Sequence, residues 1–487
     1  MKFLLIRAGT WEERGHHPIY AISSHPPLGL LYIAASLEKD GHKVEIIDFF
    51  MDELATEKMT KTIKSVDAVG ISVPTQELES AITISKQIKE LDPNIPILIG
   101  GPHCIYRQDK SLIDIPYSDI VVGCEGEKVI INIVEWLEGK KELANIPGIY
   151  YKQKNKIKPG KTLEIIDDLD SIAFPARYLV DQYDYGDLGL WGNPLRKKVT
   201  SMITNRGCPF NCRYCSRYGN VIKGWGYRKR SAKNVVEELQ SLDKKHRTVM
   251  ITDDNFLADI KRAHDVFNMI LDIGLDLDFY ILGTGVETAD INLFKKMKKA
   301  GVKMIAYGVE SGNQDVLDFY NKRINLDQVR KAVFLAKKVG FITYASFILG
   351  APIEKINHLQ NTIDFACSLP IDIAIFITLR YEMGSPLWFE AVKDKKISED
   401  EYCVFADSNR GLGNLSLYDI KEYVRKAYGQ FYFRPSYLIN QTMKNLPKGN
   451  INTILYGMGL IKYLMKSYFV FNTSKENIYY KTTKKYN

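Results

Sequence analysis

Twice along the 487-residue chain, short apolar segments alternate with helical stretches, and this repeated rhythm restricts the fold more than any other feature. The first series places strands at Lys2–Arg7, His42–Asp48, Ala68–Val73, Ile95–Ile99 and Ile120–Val122. Helices fall at Gly29–Asp40, with Gly41 as the expected C-cap, near Ala81–Leu91, and from Gly126 to about Gly139. Short, almost wholly apolar strands separated by helices predict a parallel, doubly wound α/β sheet of the Rossmann or flavodoxin kind over residues 1–150. Residues 151–195 break the rhythm with a Lys-rich hairpin, the acids Asp167, Asp168 and Asp170, and Phe174-Pro175, and read as a linker. A second series follows, with strands at Lys198–Thr204, Thr248–Thr252, Asp278–Leu282, Lys303–Gly308, Thr343–Gly350 and Ile373–Leu379. Six such steps over 196–400 are too few for a closed eight-strand barrel and predict a partial (β/α)6 barrel. Residues 401–487 read as a helical region rich in Tyr and Phe.

Composition narrows the function classes. Hydrophobic residues at 45% and charged residues at 25% exclude a disordered or collagen-like chain. The net charge of +8 is concentrated in residues 441–487, where eight Lys face the single acid Glu476. That tail suits an anionic surface and equally suits simple solubilisation. With the charge confined there and no RNA-binding module in view, nucleic acid is not the expected partner. Seven Cys, an odd number with three bunched, argue against a disulfide framework. The opening MKFLLIRAGTW is too short for a signal peptide, and no apolar run reaches spanning length. A cytoplasmic location is therefore expected.

The bunched cysteines lie in Asn205-Arg206-Gly207-Cys208-Pro209-Phe210-Asn211-Cys212-Arg213-Tyr214-Cys215, directly after the first strand of the second series. A Cys-x3-Cys-x2-Cys loop can wrap three thiolates around three corners of a cubane [4Fe–4S] cluster. The fourth iron is then open to a substrate's amino and carboxylate groups. Structural zinc is the alternative, but zinc wants a fourth ligand nearby, and no His or Cys follows until His246.

Cys208-x3-Cys212-x-Tyr214-Cys215 resembles the signature loop of the radical S-adenosylmethionine (radical SAM) superfamily. The resemblance implies three metal-ligating and catalytic cysteines, Cys208, Cys212 and Cys215, with Tyr214 near the adenine of SAM. It implies an external one-electron reductant such as flavodoxin or ferredoxin, and a 5′-deoxyadenosyl radical that opens a substrate C–H bond. It also directs attention to the carboxyl ends of the barrel strands. Ile251-Thr252-Asp253-Asp254-Asn255-Phe256 stands where the family holds the SAM amino group. Its Asp-Asp-x-Phe form is similar to that of the cobalamin-dependent branch, and Asp253 and Asp254 can both accept from an ammonium. Glu310 and Ser311 in Gly308-Val309-Glu310-Ser311-Gly312 are expected to hold ribose hydroxyls or the methionine carboxylate end. Gly350, opening Gly350-Ala351-Pro352-Ile353-Glu354, offers bare backbone to adenine. Arg228 suits a carboxylate or a basic surface loop, and Tyr381–Pro386 suits a substrate contact or a turn. Gly283–Glu287 departs from the family's usual Arg-containing run and receives no role.

A doubly wound domain upstream of such a core resembles the cobalamin (B12)-binding arrangement. The residues that carry this are Pro26-Pro27-Leu28-Gly29, the Gly100-Gly101-Pro102-His103 loop and the Gly123-Cys124-Glu125-Gly126-Glu127 loop. The expected contacts are Thr75 and Gln76 facing the metal, with Gly100, Gly101, His103, Gly123, Glu125 and Gly126 on the corrin and its nucleotide tail. The Asp-x-His-x-x-Gly motif of classical cobalamin enzymes is absent, so no cobalt-bound His is expected from it. For His103 a hydrogen-bonding or structural role is favoured over cobalt ligation. A domain without cofactor and a nucleotide-binding domain remain alternatives, the latter without a P-loop or complete Gly-x-Gly-x-x-Gly to support it. Cys104, Cys124, Cys367 and Cys403 read as structural thiols. Residues 427–439 resemble the C-terminal region of anaerobic porphyrin ring cyclases and hopanoid-modifying enzymes. The apolar stretch 451–471, broken by Lys462 and Lys466, suits peripheral membrane contact or a helix packed on the core.

The resulting expectation is an enzyme with a [4Fe–4S] cluster, SAM and cobalamin that acts on an unactivated carbon of a small-molecule or lipid substrate. Methyl transfer is the first reading; ring closure or rearrangement with the same cofactors is the alternative. A cobalamin- or light-sensing module is the competing class, and the intact Cys triad opposes it.

Overall fold

The apolar runs become strands buried on both faces, as a sheet covered by helices on two sides requires. In β1 (Lys2–Arg7), Phe3, Leu4, Leu5 and Ile6 are all buried. The computed structural model describes residues 1–9, 25–154, 156–185 and 198–445. It divides into two compact units, Met1–Asp187 with Val221–Trp225, and Leu188–Asn220 with Gly226–Asn487.

The first unit holds a seven-stranded sheet in the order β2-β1-β3-β4-β5-β6-β7. Strands β1, β2 (Lys43–Asp48), β3 (Ala68–Ser72), β4 (Ile97–Gly100) and β5 (Ile120–Val122) are parallel. The chain runs outward from β1 to β2 and returns to β3 on the other side of β1, which puts the switch point between β1 and β3. The Lys-rich hairpin is β6 (Ile149–Gln153) and β7 (Lys156–Pro159), and it extends this sheet antiparallel to β5. Alternation explains its place: Ile149 and Tyr151 are buried, while the Lys side chains alternate toward solvent. The helix Leu28–Lys39 ends with Gly41 just beyond it at φ +85°, a backbone conformation that favours glycine.

The second unit is built on six parallel strands in the order β15-β14-β13-β12-β11-β8. These are β8 (Val199–Met202), β11 (Thr248–Ile251), β12 (Asp278–Thr284), β13 (Val302–Glu310), β14 (Ile342–Leu349) and β15 (Ile373–Thr378). The order follows the chain, as a partial (β/α)6 barrel demands, and helices separate successive strands. Two short ladders decorate it: β9 (Asn205–Arg206) with β10 (Arg228–Lys229), and β16 (Arg380–Glu382) with β17 (Cys403–Phe405). The region after residue 401, expected to be helical, thus opens with a strand before the helices Leu417–Tyr432 and Pro435–Asn445.

A partial barrel leaves an edge strand whose outward backbone groups need partners. Here β15 is that edge, and three tyrosines from the C-terminal helices meet it. Tyr432 Oη accepts from Ala374 N (3.1 Å) and donates to Ala374 O (2.9 Å). Tyr428 Oη accepts from Phe376 N (3.3 Å), and Tyr437 Oη donates to Asp372 O (2.8 Å). Residues 372, 374 and 376 are alternate positions; Asp372 N still donates to Thr343 O of β14 (3.0 Å), and its carbonyl, with the backbone of 374 and 376, is taken by the tyrosines. Hydroxyls stand where a seventh strand would. No helix among the described residues is long and apolar enough to cross a membrane. The stretch 451–471 lies outside them.

Candidate active site

The Cys loop is closed at its base by the β9–β10 ladder, in which Asn205 pairs with Lys229 and Arg206 with Arg228. Gly207 then turns with φ +78°, and a Cβ there would lie 2.6 Å from Gly226 O, so only glycine fits. Backbone bonds anchor the rest of the loop: Arg213 N to Tyr320 O (2.9 Å), Leu387 N to Arg213 O (3.0 Å) and Cys215 N to Cys212 O (3.2 Å). Asn220 Nδ2 reaches Gly384 O at 2.7 Å, and Ser385 caps the following helix, so Tyr381–Pro386 serves here as a turn that braces the loop.

All three loop cysteines are free thiols, with Cys212 buried and Cys208 and Cys215 partly accessible. Burial raises the Cys208 thiol and pushes Cys215 up to about 12, and the neighbouring thiols add to both shifts. Crowded, desolvated thiols are stabilised as thiolates by a cationic metal centre, so the donor set fits an iron–sulfur cluster. Among the described residues no three His, Cys, Asp or Glu side chains converge tightly enough to chelate one metal ion. A cubane does not need that convergence, because each thiolate binds a different iron. The geometry therefore favours the cluster over mononuclear zinc.

The carboxyl ends of the barrel strands surround this loop. After β11 the two adjacent acids diverge. Asp253 is buried and accepts from Thr204 N (2.6 Å), Thr204 Oγ1, Asn205 Nδ2 (2.7 Å) and Asn205 N (3.4 Å), with Arg262 Nη2 at 4.0 Å. Burial lifts its pKa to about 6 even against those bonds. It ties the end of β11 to the turn after β8. Asp254 is solvent-accessible, yet surrounding protein raises its pKa by desolvation. That combination belongs to a carboxylate on a concave wall, and its charge acts on Cys208, Cys215 and Tyr218.

Glu310 ends β13 in a left-handed conformation, φ +70°, at an irregularity in the β13–β14 register. Its Oε1 accepts from Tyr214 Oη and from Lys322 Nζ, both at 3.0 Å, and Ser346 Oγ lies 3.5 Å from Oε2. Lys322 also donates to Tyr214 Oη at 3.0 Å. Burial alone would lower the Lys322 pKa; Glu310, Cys212 and Cys215 reverse this and hold it raised. A Cβ on Gly308 would run into Glu310 Oε1, so the first glycine of this run makes room for the pair. The Tyr214 ring meets Tyr320 edge-on at 4.9 Å.

Ser311 and Gly350 are engaged within the fold. Ser311 is fully buried, with its Oγ 3.2 Å from Thr362 Oγ1 and accepting from Asn313 N at 3.2 Å. Gly350 N donates to Glu354 Oε2 at 2.6 Å, and Ala351 N donates to the same oxygen at 2.7 Å. Gly350 has φ +103°, and a Cβ would meet Ile420 at 2.8 Å. Lys322 and Ser346 were not reachable by motif reading, since neither belongs to a strand-end signature. The one local hint is the run Asn321-Lys322-Arg323, whose outer two residues take φ of 53° and 57° and so pin the lysine between two left-handed turns.

In the first unit, Gly101 (φ +101°) lets the chain turn against Val73, and Val73 N donates to Gly100 O at 2.8 Å. Thr75 is partly exposed and Gln76 exposed in a 3₁₀ turn after β3. His103 is wholly buried; its Nε2 lies 3.1 Å from Asp114 Oδ2, which also takes the Arg107 guanidinium at 2.7 Å. Burial lowers the His103 pKa, and its ring is held within the fold by Asp114. Gly123 O accepts from Gln108 Nε2 (3.0 Å), and Glu125, also buried, accepts from Ile166 N (2.8 Å). A Cβ on Gly126 would strike Ile33 at 2.7 Å. Among the described residues, Thr75, Gln76 and Glu127 and the backbone of Gly100, Gly101 and Gly126 are partly accessible at this sheet edge.

A doubly wound domain followed in the chain by a cysteine-bearing partial barrel is the architecture of radical SAM enzymes that use cobalamin. Residues 202–366 match the radical SAM superfamily and residues 21–134 the B12 binding domain. The chain belongs to the radical SAM superfamily, in its branch with a B12-binding domain, and with that family come a [4Fe–4S] cluster, SAM and cobalamin. It is 32% identical to a protein of Pyrococcus horikoshii described as an uncharacterized methyltransferase, over 86% of this chain and 90% of that one. It is 26% identical to the anaerobic magnesium-protoporphyrin IX monomethyl ester cyclase of Rubrivivax gelatinosus, over 91% and 79% of the two chains. Among solved structures, the cobalamin-dependent S-adenosylmethionine radical enzyme OxsB with aqua-cobalamin bound superposes with a TM-score of 0.71 at 16% identity. That match covers 97% of this chain and 74% of OxsB.

Proposed function

We propose that this protein transfers a methyl group from SAM to an unactivated carbon of a small-molecule substrate, using cobalamin and radical SAM chemistry together. The observation that carries the reading is the convergence at one loop of three free cysteines, the accessible Asp254 and the Glu310–Lys322 pair, in a chain that also holds a B12-binding domain. Methyl transfer is preferred over ring closure because the methyltransferase relative is more identical and is matched over more of its length than the cyclase.

When bound, the cluster and SAM supply a 5′-deoxyadenosyl radical, and cobalamin supplies a transferable methyl group. The chain's own residues hold these parts. Cys208, Cys212 and Cys215 would hold the cluster through their three thiolates and leave it a position for SAM. Asp254 accepts from the SAM ammonium, while Asp253 keeps the loop that carries it in place. Lys322, already beside Cys212 and Cys215, suits the SAM carboxylate; Glu310 neutralises it and turns its second oxygen to the ribose. Tyr214, locked to both, lies beside the adenine. Ser311 and Gly350 shape the pocket from behind. In the first unit Thr75 and Gln76 would face a bound cobalamin, and Gly100, Gly101 and Gly126 would allow its close approach, with Gly123 behind them on Gln108. His103 and Glu125 brace that edge. An acidic one-electron protein such as flavodoxin or ferredoxin supplies the electron.

The test is product analysis of the full chain, reconstituted without oxygen and supplied with cobalamin and reductant. Methyl transfer leaves S-adenosylhomocysteine as well as 5′-deoxyadenosine and methionine. Deoxyadenosine and methionine without S-adenosylhomocysteine would move the assignment to cyclisation or rearrangement.

A further inference from the structure

Two buried arginines stand at the base of the cysteine loop, and they are used differently. Arg230, the residue after β10, bonds close to home. Its Nη1 donates to Ile203 O at 2.9 Å and pairs with Glu238, and its Nε donates to Asn234 Oδ1 at 2.7 Å. Arg262 lies in the first turn of the helix Ile260–Ile273, where the Asp259 side chain accepts its backbone N–H at 2.9 Å. Its side chain is only 5% exposed, and the guanidinium reaches three separate segments. Nη1 donates to Thr204 O at 2.9 Å and to Arg230 O at 3.4 Å. Nη2 donates to Phe256 O at 3.5 Å and lies 4.0 Å from Asp253 Oδ2. The group also sits 5.6 Å from the centre of the Phe256 ring.

These contacts fall where the site is assembled. Thr204 leads into β9 and so into the cysteine loop, and Arg230 follows β10, where the chain leaves it. Thr204 O accepts from Arg230 N as well, at 3.0 Å. Phe256 stands two residues beyond Asp254. One side chain thus ties both ends of the cysteine loop to the segment that carries Asp254. A guanidinium suits the task, being planar, always charged and fixed in the direction of its donors. An ammonium on a flexible stem cannot hold the same fork of carbonyls. Stability alone gives little reason for the choice, since well-packed apolar side chains often replace buried ions without loss. A ligand held at two points does give one, because an error in their spacing weakens its grip.

We propose that Arg262 is a positioning residue that sets the spacing between the cysteine loop and Asp254, and thereby sets how tightly SAM is held. This rests on the proposed placement of the SAM ammonium at Asp254. The loop keeps other anchors when Arg262 is replaced: the β9–β10 ladder and the backbone bonds of Arg213 to Tyr320 and Leu387. Replacement therefore shows in affinity for SAM, with iron content retained.

The experiment is a double-mutant cycle on the full chain, reconstituted with cluster and cobalamin and kept oxidised so that SAM is bound but not cleaved. SAM affinity is read by equilibrium dialysis, beside iron content and the unfolding midpoint. Arg262→Lys and Asp254→Asn should each weaken SAM binding by about tenfold. Together they should weaken it by about twentyfold rather than the hundredfold of independent sites, because the arginine acts through the acid. Lys337→Met breaks the 2.6 Å pair with Asp372 at the amino ends of β14 and β15, and should lower the midpoint with SAM affinity unchanged. If Arg262→Lys loses its iron, Asp259→Ala takes its place in the cycle. It removes the cap beneath Arg262, and should weaken binding by about threefold on its own and not at all beside Asp254→Asn. Losses that multiply in full, unchanged affinity in the iron-loaded Arg262 or Asp259 variant, or equal weakening in Lys337→Met would overturn the inference and leave the ammonium at Asp254. Unchanged affinity in Asp254→Asn would overturn that placement, and the inference with it.

Discussion

The carboxyl ends of the two sheets carry superficially similar strand-end loops, rich in glycine and acids, and they use them in opposite ways. In the barrel, Asp254 stays accessible, and Glu310, Lys322 and Tyr214 are tied to one another at the lip of the cysteine loop. In the doubly wound sheet, the equivalent acids and bases are turned inward. Asp48 accepts from Tyr185 Oη at 2.7 Å with Arg7 at 3.4 Å, and His103, Arg107 and Asp114 form a closed buried set. The first arrangement suits a small zwitterion such as SAM, which needs charges matched at close range. The second ties its ions to one another inside the fold. Two sites with the same kind of loop can be told apart by whether their ions face each other or the cavity.

The contrast can be broken most forcefully at the cysteines. Cys212→Ala should abolish deoxyadenosine formation and cut iron content, with cobalamin binding retained; persistent SAM cleavage would remove the cluster assignment. Next in size is Lys322→Met. It strands the Glu310 carboxylate in a buried site, a loss of about 3 kcal/mol for a buried pair. A lowered unfolding midpoint should accompany weaker SAM binding in equilibrium dialysis. By contrast, His103→Gln in the first unit should lower stability while SAM binding by the barrel stays as it was. If both substitutions affected SAM binding alike, the division between the two strand ends would not hold.

Smaller effects probe the supports. Tyr432→Phe leaves the Ala374 N–H and C=O at the barrel edge without their hydroxyl and should cost about 1–2 kcal/mol in denaturant unfolding, with SAM cleavage per folded chain unchanged. A pH dependence is expected as well. Burial raises the Glu354 carboxyl to about 7 against two backbone donors. The fold therefore disfavours its charged form. Its contribution is fully present below the unfolded value near 4.5 and is lost as pH rises through about 7. Glu354→Gln keeps an acceptor for Gly350 and Ala351, so it should flatten the stability profile between those limits; an unchanged profile would place the titration elsewhere.

Much of this was legible from residues alone, and the reasons are physical. Both strand series stand out because parallel sheets bury both faces and write continuous apolar runs. The cysteine loop stands out because three soft ligands at fixed spacing have few other uses. What stayed hidden depends on direction rather than identity. Asp253 and Asp254 are the same letter twice, and only the alternation at the end of β11 sends one into the turn at Thr204 and the other to the wall. Lys322 carries no motif, because its value lies in the left-handed turns that bring it back to Glu310. The tyrosines of the tail read as helix packing, and their role as edge partners appears only once β15 is known to be the last strand. The Lys-rich hairpin, read as linker, has too few apolar residues to announce that it adds two strands to the first sheet.

The most direct measurement is of SAM-derived products from the anaerobically reconstituted full chain with cobalamin and reductant, beside its Cys212→Ala variant. The account predicts deoxyadenosine, methionine and S-adenosylhomocysteine from the wild type, and no deoxyadenosine from the variant. Deoxyadenosine from both, or from neither when the wild type carries its full complement of iron, would contradict it.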